Sequence, residues 1–363
     1  MNRRLKRNQD KLNKLNKNNY KKLFNPEAND RSQRLYKGDT TNLLNLANVK
    51  YPEFINYVDV SYQNNWHPAK VDMSKDRKQY ENVLSTNERE GYNDELSFLI
   101  FLDSLQTNNL PNIADYITLP EVVYFLARQT WDEALHSRSY GHILQNMMSK
   151  EDADKITYRW KENKILRDRI KHITDIYETS REEKTDTNFV SVLVANYLLE
   201  GLYFYNGFQF FHNLASRGMM IASDTQIRYI QRDENVHCQA FERIIKISQD
   251  EDPDIWTDEI KEMVYDMFRA AVEWEIKFSL DTLGDKVLGM RSSSIIDYTH
   301  YLANKRLKNI GLDEIFPKVK SNPYKHLEKI AAVDDESSNR SNQFEVTSIT
   351  YKSPEILDGW DDL

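Results

Sequence analysis

At 363 residues the chain can bury one large core or two ordinary ones, and 40% hydrophobic with 12% aromatic residues fill such a core. Ten glycines and nine prolines are too few for a turn-rich all-β fold. A net charge of −8 argues against nucleic acid as the main partner, and a single cysteine, Cys238, excludes an internal disulfide framework and fits a reducing cytoplasm.

Residues 1–24 carry nine Lys/Arg against one acid, Asp10, and lack the apolar run of a signal peptide, so no export is expected. They read as a solvated, poorly ordered arm. Residues 25–85 lack sustained helical periodicity, which predicts irregular structure with short helices. From residue 86 onward, segments with a 3.6-residue apolar period predict helices over 88–108, 120–149, 152–180, 186–216, 222–249, 255–283 and 292–309. Pro111 is expected to close the first and Pro120 to open the second. The stretch 191–211 has the length of a membrane span, but Asn196, Glu200, Asn206 and Gln209 interrupt it, so it reads as a helix buried in a bundle. Residues 345–363 hold five acids and one Lys, an acidic tail. The expectation is an all-α helical bundle: an arm over 1–24, one domain over 25–330 and a tail over 331–363.

Two of these helices share an unusual pattern. In "WDEALHSRSYGHI" (131–143), Glu133, His136 and Tyr140 fall three and four apart, on one helical face. That face continues through Phe125, Leu126 and Gln129 on one side and Ile143, Leu144 and Met147 on the other. "IQRDENVHCQAFERII" places Glu234 and His237 at the same spacing, on a face with Ile227, Ile230, Phe241 and Ile244. With 57 acids and 8 histidines, chance supplies about one acid-x-x-His match. The chain has three, and the third, Asp297–His300, lacks the company the other two keep. Asp103 in "FLIFLDSLQ" and Glu200 in "YLLEGLYFY" each set a further acid in an apolar run.

Burying such acids unpaired is costly. Together they form the ligand inventory of a bundle-core dinuclear carboxylate site, as in the ferritin-like folds. Two divalent cations would balance four carboxylates, and oxygen-rich donors with two imidazoles and no sulfur suit iron or manganese better than structural zinc. Tyr140, one turn beyond His136, is then a dry phenol beside an oxygen-activating pair, with Phe204, Phe208, Ile227 and Ile230 as candidates for an apolar pocket around it.

The ordered set Asp103, Glu133-x-x-His136, Tyr140, Glu200, Glu234-x-x-His237 resembles the small (β) subunit of class I ribonucleotide reductase. The likeness extends to "FLDSLQ", "HSRSY", "RDENVH" and "YLANKRLKNIGLD", over roughly residues 50–325. It implies that Asp103, Glu133 and His136 hold one metal and Glu200, Glu234 and His237 the other, with Glu133 and Glu234 bridging. It further implies two iron ions (Mn2 or a mixed Mn/Fe pair being compatible with the same ligands) that activate O2 to oxidise Tyr140. The radical equivalent would pass to a large (α) subunit that reduces ribonucleotides.

By the same resemblance, Trp66 in "NNWHPAKVD" and Asp233 belong to the transfer route, Asp233 holding the metal-bound His136. Tyr351, with Glu345 six residues before it, would relay across the subunit interface, and Ile356, Leu357 and Trp360 would anchor the tail on the large subunit. A homodimer is implied, with no membrane and no nucleic acid. Gln129 departs from members that carry an aromatic there, and the basic arm is unusual. Cys238 faces away from the site and is assigned no redox role. A di-iron oxygenase or desaturase of the ferritin-like superfamily is the alternative reading; it would not need Tyr140, Trp66 or Tyr351. An iron-storage bundle would be smaller.

Overall fold

Capping chemistry sets where most of the helices begin. In this computed structural model, which describes residues 23–31, 33–319 and 321–327, Ser85 and Glu88 form a reciprocal capping box at the start of α3 (Thr86–Ala114). Pro120 occupies the first position of α4 (Pro120–Met147). The side chains of Ser149, Asn163, Thr185 and Thr257 cap α5 (Lys150–Thr157), α6 (Lys164–Glu182), α7 (Asp186–Leu198) and α10 (Asp258–Thr282). α1 (Glu53–Gln63) and α2 (Ser74–Asn82) precede them; α8 (Tyr205–Ser216), α9 (Ile221–Glu251) and α11 (Ser292–Asn309) complete the order. Among the described residues the only β pairing is an isolated bridge, Tyr36 with Ile117. Residues 1–22 and 328–363, including Glu345, Tyr351 and the tail anchors, lie outside the described residues.

Three predicted boundaries move. α3 runs through Pro111 to Ala114: the proline removes one backbone hydrogen bond and its ring crowds the preceding turn, but Leu110 and Ile113 on either side are fully buried and hold the last turn in place. The helix expected over 152–180 is two, broken at a short 3₁₀ turn, Arg159–Lys161, where Arg159 reaches across to Asp94 at 2.5 Å and to Glu90. The helix expected over 186–216 is interrupted by a π turn, Leu199–Tyr203, between α7 and α8.

Buried apolar side chains from Leu35 to Leu327 form one contiguous cluster. The apolar stretch 191–211 lies at its centre, and each interrupting polar residue has a partner there. Asn196 donates to Glu200 (3.1 Å), Asn206 to Glu275 (3.0 Å) and Thr299 (2.9 Å), and Gln209 to Tyr298 (3.1 Å). Their amide N–H groups are satisfied internally, while Glu200 Oε2, Asn206 Oδ1 and Gln209 Oε1 are buried without a partner. Among the described residues no helix is long and apolar enough to cross a membrane.

Candidate metal centre

Four elements converge on one buried point. α3 brings Asp103, α4 brings Glu133, His136 and Tyr140, the π turn brings Glu200, and α9 brings Glu234 and His237; all seven side chains are fully buried. The ligand atoms fall into two sets, each with its members within 4.8 Å of one another: Asp103, Glu133, His136, Glu234, and Glu133, Glu200, Glu234, His237. Glu133 and Glu234 belong to both, the position of bridging carboxylates. Both imidazoles turn Nδ1 inward. His136 Nδ1 lies 3.1 Å from Glu234 Oε1 and 3.5 Å from Glu133 Oε2, and His237 Nδ1 lies 2.9 Å from Glu234 Oε2 and 3.3 Å from Glu133 Oε1.

The atoms facing this point are the ones lacking partners. Asp103 Oδ1 and Oδ2, Glu133 Oε2, Glu200 Oε2, Glu234 Oε1 and His136 Nδ1 are buried and meet no hydrogen-bond partner. Orphaned buried polar atoms are rare and each is expensive; six aimed at a common space fit cations. The electrostatics agree. Burial pushes the Asp103 carboxyl well above the usual range, His136 pulling against it and Glu133 and Glu234 adding to it. Burial, then the charges of Glu234 and Glu133, raise Glu200 in the same way. Glu234 goes the other way: burial would raise it, but the adjacent Glu200 carboxyl, the charge and hydrogen bond of His237 and the nearby His136 ring outweigh that. Burial disfavours charge on both histidines, yet their carboxylate partners hold both above the ordinary imidazole value.

Glu200 is oriented from outside. Its Oε1 accepts from Gln129 (2.7 Å), Asn196 (3.1 Å) and Gln106, which leaves Oε2 toward the cluster. Gln129, an aromatic in some members of the resembling family, thus has a local task. The π turn that carries Glu200 is itself held by two buried arginines. Arg306 donates to the Gly201 carbonyl (3.0 Å) and Arg169 to that of Tyr203 (3.1 Å). Gly201 is closely packed: a Cβ there would stand 2.7 Å from Arg306 Nε and 3.0 Å from Cys238 Sγ, so a larger residue would displace the Arg306 side chain.

Outside the histidines lies a second layer of acids. His136 Nε2 is 3.4 Å from Asp233 Oδ2, which also accepts from Trp66 Nε1 at 2.9 Å. The Trp66 indole lies 6.5 Å from the His136 ring. Sequence reasoning missed the counterpart: Asp132 Oδ2 lies 3.4 Å from His237 Nε2. The signal was present, because both motifs read Asp-Glu-x-x-His, "DEALH" and "DENVH".

The Tyr140 hydroxyl is buried beside Asp103 but completes no hydrogen bond; burial and the Asp103 charge push its pKa well above that of a free phenol. Phe204, Phe208, Ile227 and Ile230 are fully buried, with the two phenylalanine rings stacked at 5.7 Å. Cys238 is buried against the π turn near Arg306.

Comparison with known proteins closes this description. A family profile described as "Ribonucleotide reductase, small chain" matches residues 43–323. The chain is 38% identical over 340 residues to the ribonucleoside-diphosphate reductase subunit beta of Treponema pallidum, covering 93% of this chain and 96% of that one. It is 32% identical over 347 residues to the same subunit of Halalkalibacterium halodurans, covering 94% and 98%. Among solved structures, the ribonucleotide reductase R2 subunit from Clostridium botulinum superposes with a TM-score of 0.84 at 37% identity, over 86% of this chain and 98% of that one. A dimanganese(II) protein, NrdF of Streptococcus sanguinis, shares the fold with a TM-score of 0.69 at 22% identity, over 78% and 97%.

Proposed function

The chain belongs to the family of ribonucleotide reductase small chains, and on that premise we propose that it oxidises Tyr140 to a tyrosyl radical with two iron ions held by Asp103, Glu133, His136, Glu200, Glu234 and His237. The observation that carries this is the set of orphaned ligand atoms converging in two groups that share Glu133 and Glu234. The donor set suits iron and manganese alike; a phenol at position 140 favours iron. Two ferrous ions held by these residues would supply two of the four electrons that reduce O2 to water, with Tyr140 giving the third and an external one-electron reductant the fourth.

The chain's own residues do the rest. Asp103 stands beside the Tyr140 hydroxyl as the group placed to take its proton. Full burial keeps water from the phenol, and Phe204, Phe208, Ile227 and Ile230 are proposed as its apolar walls. His136, Asp233 and Trp66 form a hydrogen-bonded line from the cluster to a partly exposed indole, which suits the passage of an oxidising equivalent outward. Beyond it, Tyr351 and Glu345 would continue the relay to the large subunit, with Ile356, Leu357 and Trp360 docking the tail. A cytoplasmic homodimer is the form in which we expect the protein to act.

The test is reconstitution. Metal-free protein loaded anaerobically with Fe(II), exposed to O2 and mixed with its large subunit should reduce ribonucleoside diphosphates in proportion to iron bound, up to two per chain. Turnover by metal-free protein, or by a Glu133→Ala/Glu234→Ala variant, would overturn the reading.

A further inference from the structure

The ligand His237 has a holder of its own, and we infer that Asp132 is the positioning residue that fixes it, as Asp233 fixes His136. This rests on the dinuclear reading above. The arrangement is reciprocal across two helices. Asp132, next to Glu133 on α4, reaches the histidine of α9; Asp233, next to Glu234 on α9, reaches the histidine of α4, and both contacts are 3.4 Å from Nε2. With both Nδ1 atoms turned into the cluster, each Nε2 must carry the proton, and a buried N–H needs an acceptor. A carboxylate there selects the tautomer with a free lone pair at Nδ1, fixes the ring plane and makes that nitrogen a better donor.

The mirror extends one layer further. Arg128 pairs with Asp132 at 2.6 Å and donates to the Ser61 carbonyl at 3.0 Å. Arg232 pairs with Asp233 at 3.3 Å and donates to the Asn64 carbonyl. Ser61 and Asn64 sit in and just beyond the last turn of α1, where carbonyls lack intrahelical partners and the helix dipole favours cations. One helix end therefore braces both arms, and each buried carboxylate has its own guanidinium.

The arms differ at their outer ends. Asp233 accepts from an indole; Asp132, 1% exposed, is backed by Arg128, which lines a surface pocket with Tyr62, Tyr124 and Trp131. A guanidinium is not an electron donor. The Asp132 arm holds a metal ligand, and the Asp233 arm holds one and connects it to Trp66.

Anaerobic Mn(II) titration of the metal-free full-length protein, with free Mn(II) read by EPR, separates these roles. Wild type should bind two ions per chain. Asp132→Ala should keep one and bind the other about 10- to 100-fold more weakly, with Asp132→Asn between the two. Asp233→Ala should weaken one ion likewise, and the double variant both. The melting temperature of metal-free Asp132→Asn should match wild type. Two ions bound with unchanged affinity in Asp132→Ala or Asp132→Asn would overturn the inference alone. So would equal weakening of both ions, which marks a general structural role. Fewer than two ions in wild type would overturn the metal centre, and this inference with it.

Discussion

Arg169 is fully buried against the π turn that carries Glu200, and replacing it with methionine tests how that turn is supported. Its guanidinium pairs with Glu275, donates to the Tyr203 carbonyl at 3.1 Å, and lies over the rings of Phe98 at 3.6 Å and Phe278 at 4.5 Å. Removing one partner of a buried ion pair costs about 3–5 kcal/mol, because the other charge is stranded. Glu275 keeps donors from Asn206 at 3.0 Å and Ser279 at 3.1 Å, which moves the expectation for Arg169→Met to the lower end, about 3 kcal/mol. A second acid, Glu95, faces the same group, but burial and then the Glu275 charge disfavour its ionised form. Glu95→Gln should therefore change stability by less than about 1 kcal/mol. In the double variant Arg169→Met/Glu275→Leu no charge is stranded, so it should be more stable than Arg169→Met alone by about 2 kcal/mol. Urea unfolding of metal-free wild type, Arg169→Met, Glu275→Leu, Glu95→Gln and the double variant, followed by far-UV circular dichroism, gives the values compared. Additive losses, or a cost below about 1 kcal/mol for Arg169→Met, would refute the reasoning.

Gln129→Leu removes one of three donors to Glu200 Oε1, the 2.7 Å bond, and should weaken one metal ion about tenfold in a chelator competition assay, where unchanged affinity would contradict the role assigned to Gln129. Burial is the largest cause raising the phenols of Tyr92, Tyr140, Tyr177, Tyr197, Tyr203 and Tyr205. Since their folded pKa values exceed the unfolded value of about 10, the stability they contribute is fully present below that pH and is lost as pH rises through the folded values. A spectrophotometric titration should show these phenols ionising only together with loss of helical circular dichroism; ionisation near pH 10 (about the free value) in intact protein would contradict it. Deleting residues 345–363 should leave the tyrosyl signal intact and abolish turnover with the large subunit, whereas undiminished turnover would refute tail docking.

The Glu-x-x-His pairs were legible because spacing and apolar company agree, and the structure brings both pairs together with Asp103 and Glu200. Asp132 was not, since it lies one residue off the ligand face and resembles an ordinary helix acid until the two motifs are aligned on each other. The π turn was hidden for a different reason. Around Glu200 the run "YLLEGLYFYNGF" is apolar on every side, so a shift in helical register leaves no trace in the periodicity. The break at Arg159 depends on Asp94 and Glu90, 65 and 69 residues away, and such a long-range pairing is invisible to local pattern. Trp66 and Asp233 came from resemblance alone, and the hydrogen bond between them gives that expectation a physical basis.

The most direct test of the central claim is the EPR spectrum of metal-free protein loaded anaerobically with Fe(II) and then exposed to O2, recorded for wild type and for Tyr140→Phe. Wild type should give a tyrosyl-type signal that Tyr140→Phe lacks while still binding two metal ions. A tyrosyl signal that persists in Tyr140→Phe, or its absence from wild type under every iron and manganese loading, would contradict the assignment of the radical to Tyr140.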